Sequence, residues 1–360
     1  MLYDLLYPLH TKYFFFHLFK YITFRAAYAG ATGLLLSLIC GKYIIRWLTK
    51  RKILAQVREK GIKSQETKTH IPTMGGLLLM FAVSVSALLW CDLKEPFVWV
   101  ILLSSLAFGA IGVVDDMRKI KLHKGISKLQ KFLPQIIIGL LVGAYVYFFP
   151  KDLSFRSYTT VLFLKNWFVY LDWFYIPFVV IVLIAVTNAT NLTDGLDGLA
   201  IGLGAEAIFA FLVLAYAVGN LNFSQYLGII HIPGAGEITV FLAGAAGAAL
   251  GFLWYNTSPA QIIMGDTGAL MLGGIIGVAA VLIKQEVLLL LACGPYAIET
   301  MSVILQVAYF KRTHGKRLFR MAPIHHHYEK KGLPENKIVV RFWIIGILFL
   351  VVCLSTLKIR

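Results

Sequence analysis

Apolar runs close to 20 residues recur ten times along the chain, and no other feature limits the fold as much. A helix rises about 1.5 Å per residue, so such a run spans the roughly 30 Å of bilayer hydrocarbon. The runs lie at roughly 21–45, 73–91, 97–114, 132–149, 174–190, 199–218, 237–255, 267–283, 287–309 and 338–357. With 59% hydrophobic and only 14% charged residues, a soluble domain has no means of hiding so much apolar side chain. The two-residue alternation of a β-barrel is missing. The expectation is an all-α polytopic membrane protein of about ten transmembrane helices, forming one domain over residues 1–360. Met1 to Lys20 mixes aromatics with Asp4, His10, Lys12 and Lys20, and reads as interfacial rather than as a cleavable signal.

Basic residues orient the spans. The connections 46–70, 115–131 and 310–337 carry eight, six and eight Lys or Arg, 22 of the 34 in the chain. By the positive-inside rule these odd-numbered loops are cytoplasmic and both termini periplasmic. The net charge of +16 is thereby accounted for without a nucleic-acid partner, since no separable basic domain exists. Cys40, Cys91, Cys293 and Cys353 are scattered with no C-x-x-C spacing, which argues against a disulfide framework or a zinc site.

The polar motifs share that cytoplasmic parity. Asp115-Asp116 closes the third run and opens loop three. Adjacent carboxylates repel, and Lys119, one helical turn on from Asp115, or Mg²⁺ supplies a compensating cation. The densest signal is Asn188-Ala-Thr-Asn191-Leu-Thr-Asp194-Gly-Leu-Asp197-Gly198. Its Asx and Gly residues make tight turns and oxygen ligands, and a helical turn would put Asp194 and Asp197 on one face. Asn256 and Met264-Gly-Asp266 flank the return into the bilayer at the eighth run, and His325-His326-His327 sits in loop nine. Consecutive side chains diverge, so three histidines in a row suit phosphate or sugar contact better than chelation. Lys68 and Pro72-Thr73-Met-Gly-Gly76 close loop one. Each motif also has a plainer reading: a solvated helix end, a polar turn with an N-cap, a cap for the eighth span, an interfacial polar stretch. A carboxylate near hydrocarbon costs about 2.5–3.5 kcal/mol at mid-bilayer and less at the rim, so five aspartates at one rim want a function.

Within the spans, Glu206 and Glu299 suit a structural role with partners the sequence does not identify, Gly247 and Gly251 suit close helix packing, and Gly294-Pro295 suits a kink. Clustered Asp and Asn, lysines and Gly-rich turns are the equipment of phosphoryl transfer, where metal and cations meet the charge on phosphate oxygens.

Pro72–Gly76, Asp115-Asp116, Asn191–Gly198, Met264–Asp266 and Met321-Ala-Pro-Ile-His-His-His-Tyr328 resemble the polyprenyl-phosphate N-acetylhexosamine-1-phosphate transferases over essentially the whole chain. The triple-His stretch resembles their muramoyl-pentapeptide branch. Thr190, Thr267 and Ala269 depart from the family's usual Val, Val and Ser, and none removes an ionisable group. The resemblance implies transfer of phospho-MurNAc-pentapeptide from UDP-MurNAc-pentapeptide to undecaprenyl phosphate, giving lipid I and UMP with Mg²⁺. It also implies a homodimer among membrane lipids of the bacterial inner membrane. By motif, Asp266 is implied as the Mg²⁺ ligand, Asp115 as the activator of the lipid phosphate and Asp116 as its support. Lys68, Thr73, Lys119, Lys131, Asn191, Asp194, Asp197, Asn256, His325, His326 and His327 are implied as substrate contacts. The alternatives are a UDP-GlcNAc-using relative and, in other classes, a transporter of lipid-linked substrate or a scaffold.

Overall fold

The computed structural model describes residues 1–55, 70–160 and 167–359. Helix α1 (Leu2–Leu6) and two 3₁₀ turns, Tyr7–Thr11 and Phe14–Lys20, precede α2 (Ile22–Lys50). Next come α3 (Gly76–Trp90), α4 (Pro96–Leu122), α5 (Lys128–Phe148), strands β1 (Tyr158–Thr160) and β2 (Phe168–Tyr170), α6 (Tyr175–Thr193), α7 (Leu199–Gly219) and α8 (Leu221–Leu227). The remaining helices are α9 (Ala235–Asn256), α10 (Gly265–Leu282), α11 (Leu289–Ala292), α12 (Gly294–Arg312), α13 (Ile324–Lys330) and α14 (Glu335–Ile359).

Among the described residues eight helices are long and apolar enough to cross a bilayer, and the pair Glu286–Ala292 and Gly294–Arg312, bent by 85°, makes a ninth. The 15-residue α3 occupies the second apolar run and is short for a crossing. The chain is a multi-pass membrane protein. The bend falls at Gly294-Pro295, as the sequence suggests: Pro295 has no N–H to continue the preceding ladder and sits in the first turn of α12.

Helix α10 is the axis of the bundle, and all of its 18 residues are buried. Glycines let neighbours reach its first turns. A Cβ on Gly112 of α4 would lie 2.3 Å from the Asp266 carbonyl oxygen, and one on Gly76 of α3 would lie 2.1 Å from the Gly268 nitrogen. Gly247 of α9 allows the Gly30 carbonyl of α2 to approach in the same way, so the expected small-residue packing is present.

At the end of the bundle away from Asp266, Arg25 donates to buried Glu237, which also accepts the Asp92 N–H at 2.8 Å. A two-stranded hairpin, Tyr158 opposite Tyr170, was not foreseen; its strands have three residues each, too short for a visible alternation. Thr159 Oγ1 donates to Glu286 at 2.9 Å and Lys284 Nζ to the Arg156 carbonyl at 2.7 Å, which fastens the hairpin's first strand to the turn after α10.

Two boundaries differ from the sequence reading. α4 continues to Leu122, so Asp115 and Asp116 lie inside a helix rather than opening a loop. α6 continues to Thr193 and includes Asn188 and Asn191. Hydropathy marks where the apolar surface stops, whereas the backbone ladder runs on as long as polar side chains meet partners.

Gly112→Ala forces α4 away from the start of α10. Overpacking of this kind costs about 1–3 kcal/mol, and the thermal midpoint of the detergent-solubilised variant should fall accordingly. Gly30→Ala, whose Cβ would meet the Ala243 carbonyl at a tolerable 3.3 Å, should fall less.

Candidate active site

Three carboxylates and two ammonium groups meet where α4, α5 and α10 converge. Asp115, Asp116 and Asp266 are 4%, 3% and 2% exposed. Lys119 Nζ lies 2.7 Å from Asp115 Oδ2 and 2.9 Å from Asp266 Oδ1, and so bridges two helices. Lys131 Nζ lies 2.6 Å from Asp266 Oδ2 and 3.8 Å from Asp115 Oδ2. Two lysines thus stand between the carboxylates of Asp115 and Asp266, with Asp116 farther off at 3.9 Å from Lys119 Nζ.

Local sequence explains each placement. Lys119 follows Asp115 by four residues on one helix face. Lys131 is presented by the first turn of α5, whose start is a reciprocal capping box: Gln130 N–H donates to Ser127 Oγ, and Ser127 N–H to Gln130 Oε1. The Ser-x-x-Gln spelling of that cap was open to sequence reading and went unremarked.

Asp116 faces the other way. Its carboxylate accepts the Asp266 N–H at 3.2 Å, the Thr267 N–H at 2.9 Å and the Thr267 hydroxyl at 2.8 Å. Met264, at the N-cap position of α10, supplies no side-chain cap, so Asp116 caps α10 from a different helix. Gly265 takes φ +73, and a Cβ there would lie 2.6 Å from Asp116 Oδ2 and 3.2 Å from Thr73 Oγ1; only glycine fits. Asp115 Oδ1 accepts the Ile126 N–H at 2.7 Å, which leaves Oδ2 toward the lysines.

The Asn188–Gly198 motif adjoins this centre through Thr190, whose hydroxyl donates to the Ala269 carbonyl at 2.8 Å. Asn191 and Asp194 are half-buried at the end of α6, Asp194 as its C-cap. The expectation of Asp194 and Asp197 on one helical face is corrected: the segment is a turn, with Gly198 at φ +78. Asp197 is buried and accepts the Ala260 N–H at 3.1 Å, while its own N–H donates to Glu335 at 2.6 Å. Asn256 accepts the Gly198 N–H at 3.0 Å and donates to the Ile262 carbonyl at 2.8 Å. Asp197 and Asn256 therefore staple loop five to loop seven.

The three histidines lie on α13 and diverge as expected. His325 is fully buried with Nδ1 3.0 Å from Glu299 Oε2, and a Cβ on Gly195 would lie 2.3 Å from its Nε2. His326 pairs with Glu329, and His327 Nδ1 accepts the Arg320 N–H at 3.0 Å. Desolvation, then Lys331 and Arg320, hold the His327 pKa below the usual imidazole value, which preserves the neutral ring that this hydrogen bond needs. Glu299 thus gains the partner that the sequence left unidentified and orients His325 beside the Asp194 turn. Glu206 does not: its Oε2 is buried near Gly346 with no hydrogen-bond partner among the described residues. Lys68 lies outside the described residues.

No three His, Cys, Asp or Glu side chains converge with metal-ligand geometry among the described residues. Asp115 and Asp266 nonetheless converge on one ammonium. Mg²⁺ is commonly held by one or two carboxylates with water and phosphate oxygens completing the shell, so this pair fits such an ion.

Asp116→Ala removes two acceptor oxygens, and with them three hydrogen bonds, from the start of α10. Leaving buried donors unmet costs about 1–3 kcal/mol, and amide exchange at Asp266 and Thr267 should accelerate about tenfold or more while that deep in α9 stays slow.

The model of glycosyl transferase family 4 matches residues 98–284. The chain is 48% identical to the phospho-N-acetylmuramoyl-pentapeptide-transferase of Desulforapulum autotrophicum, with both proteins covered in full. It is 46% identical to that of Syntrophus aciditrophicus, again over the whole of each chain. With that of Chloroherpeton thalassium it shares 47% identity over 95% of this chain and 94% of the relative.

Proposed function

We propose that this chain, which belongs to glycosyl transferase family 4 and to its phospho-N-acetylmuramoyl-pentapeptide-transferase group, transfers phospho-MurNAc-pentapeptide from UDP-MurNAc-pentapeptide to undecaprenyl phosphate. The products are lipid I and UMP, in peptidoglycan synthesis at the bacterial inner membrane. The observation that carries the site assignment is the Asp115–Lys119–Asp266–Lys131 array, a buried mixed-charge centre at one end of a membrane bundle. The positive-inside count supports a cytoplasmic position for that end and periplasmic termini. A homodimer rests on the family resemblance.

The reaction is a single displacement. An oxygen of the lipid phosphate attacks the sugar-bearing phosphorus of the UDP-sugar; that P–O bond forms as the bond to UMP breaks, and UMP leaves with the electron pair. Lys119 and Lys131 stand where phosphate oxygens gain charge, and both ammoniums are partly open to solvent. Asp266, with Asp115 beside it, is the set that would hold Mg²⁺. When bound, that ion neutralises diphosphate charge and eases departure of UMP. Asp115 Oδ2 faces this centre and orients or deprotonates the attacking phosphate. Asp116 is occupied by three donors from α10, which argues against it as nucleophile or base and makes it a positioning residue. Asp197 and Asn256 shape the nucleotide pocket by joining its loops, while Asn191, Asp194, His325 and Lys68 complete the contacts.

The test is purified protein with UDP-MurNAc-pentapeptide, undecaprenyl phosphate and Mg²⁺, followed by UMP release. Asp266→Asn should lower kcat on the order of 10²–10³-fold; unchanged turnover removes the metal assignment. Preference for UDP-GlcNAc as donor would assign the chain to the simpler-sugar relatives, and a trapped phospho-enzyme would replace the single displacement.

A further inference from the structure

One buried amide seats α5 on α6 next to the charged centre. The two helices run antiparallel and meet through small residues: a Cβ on Gly143 would lie 3.2 Å from Ile176 Cα, and one on Gly139 would lie 3.0 Å from Val180 Cα. The next residue of that four-residue row, Gln135, is fully buried. Asn188 Nδ2 donates to Gln135 Oε1 at 2.9 Å and to the Ile184 carbonyl at 2.8 Å. Among the described residues no other side-chain hydrogen bond joins α5 to α6.

The Ile184 carbonyl fixes the direction of both amides. Turning Asn188 over would set its oxygen against that carbonyl, and turning Gln135 alone would set two donors face to face. Gln135 Nε2 is thereby left buried with no acceptor among the described residues. An unmet buried donor costs stability, and an apolar side chain of similar shape would avoid that cost. A polar pair held in an apolar seam at such a cost fixes register, as a single buried amide does in a coiled coil. Contacts of glycine with aliphatic side chains have no comparable directionality.

Register matters because of what α5 carries. Lys131 stands one turn before Gln135 on the same helix face. Between them, Pro134 has no N–H to give the carbonyl four residues back, so the backbone ladder is interrupted beside the turn that bears Lys131. Across the seam, α6 is pressed onto α10: a Cβ on Gly273 would lie 2.6 Å from Thr187 Cα and 2.5 Å from Thr190 Oγ1. Asn188 therefore belongs to the stretch of α6 that is fixed to the helix bearing Asp266, and its bond to Gln135 refers Lys131 to the same frame.

We propose that Gln135 is a positioning residue of the transfer reaction: through Asn188 it sets the height of α5 on α6, and with it the place where Lys131 meets Asp266 and the donor's diphosphate. The assignment deepens the function proposed above and rests on it. Being fully buried, Gln135 acts through Lys131.

The test measures UMP release by the full-length detergent-solubilised protein with UDP-MurNAc-pentapeptide, undecaprenyl phosphate and Mg²⁺. Gln135→Leu keeps the approximate shape and removes both the acceptor and the unmet donor. A misplacement of about 1 Å at a reacting centre can cost about 100-fold, so kcat should fall between about tenfold and 100-fold. KM for both substrates and the thermal midpoint should stay near those of the unmodified protein. The swap Gln135→Asn/Asn188→Gln keeps the combined length of the pair and should recover most of the turnover that either single change removes. In a Lys131→Gln background, followed at enzyme concentrations that keep residual turnover measurable, adding Gln135→Leu should cost no more than about twofold. The proposal is overturned by an unchanged kcat in Gln135→Leu, by a folded swap variant that recovers nothing, or by losses that multiply in the Lys131→Gln background. A thermal midpoint that falls in step with kcat across the variants also overturns it, since the amide then serves the bundle's stability alone. An unmodified protein that releases no UMP strikes the proposed function itself, and is seen before any variant is compared.

Discussion

The capping of α10 by Asp116 is the contact on which both fold and site depend. A helix buried along its whole length has no water at its start, so the N–H groups of its first turn need protein acceptors. Asp116 provides them from α4, and the glycines at 76, 112 and 265 allow the backbones to close to that distance. The same contact fixes where Asp266 points. Its backbone N–H is held by Asp116 while its carboxylate turns to Lys119 and Lys131. Stability of the bundle and geometry of the reacting centre are therefore set by one side chain.

The acidic residues divide by what they touch. Asp115 and Asp266 face partly exposed lysines, partners that a divalent cation could replace in the function proposed here. Asp116, Asp197 and Asn256 are buried and hydrogen-bond to backbone groups of α10 and of loops five and seven. Substitutions in the second group disturb the positions of α10 and the two loops. Glu299 belongs with them, since its contact is to His325 rather than to the centre itself.

Much of this was legible in the sequence, for identifiable reasons. Apolar length located the spans, basic-loop parity located the polar end, and four-residue spacing paired Asp115 with Lys119. Gly294-Pro295 announced the break. The hairpin at 158–170 escaped notice because three-residue strands among aromatics carry no period. The in-helix positions of Asp115-Asp116, Asn188 and Asn191 were misread because hydropathy ends where lipid ends, not where hydrogen bonding ends. The Asp116–Thr267 cap and the His325–Glu299 pair join residues 151 and 26 positions apart, and neither leaves a local pattern. The closeness of the site's parts could be inferred only from their common side; which acid faces the lysines needed coordinates.

The choice of lysine at the centre has its own logic. Asp115 and Asp266 lie at a buried rim where an uncompensated pair of carboxylates would repel. A guanidinium there would hold them in a rigid two-pronged arrangement. An ammonium on a four-carbon stem screens the acids without fixing a single geometry, and it has three donors to redistribute. Lys119 and Lys131 are 29% and 17% exposed at their side chains, so both can move toward an arriving diphosphate without unburying the acids they leave. In the function proposed here, the acids would then be free to take a divalent cation as the phosphate charge arrives. On that proposal, binding of metal and of nucleotide would be coupled, each stabilising the rearrangement that the other requires.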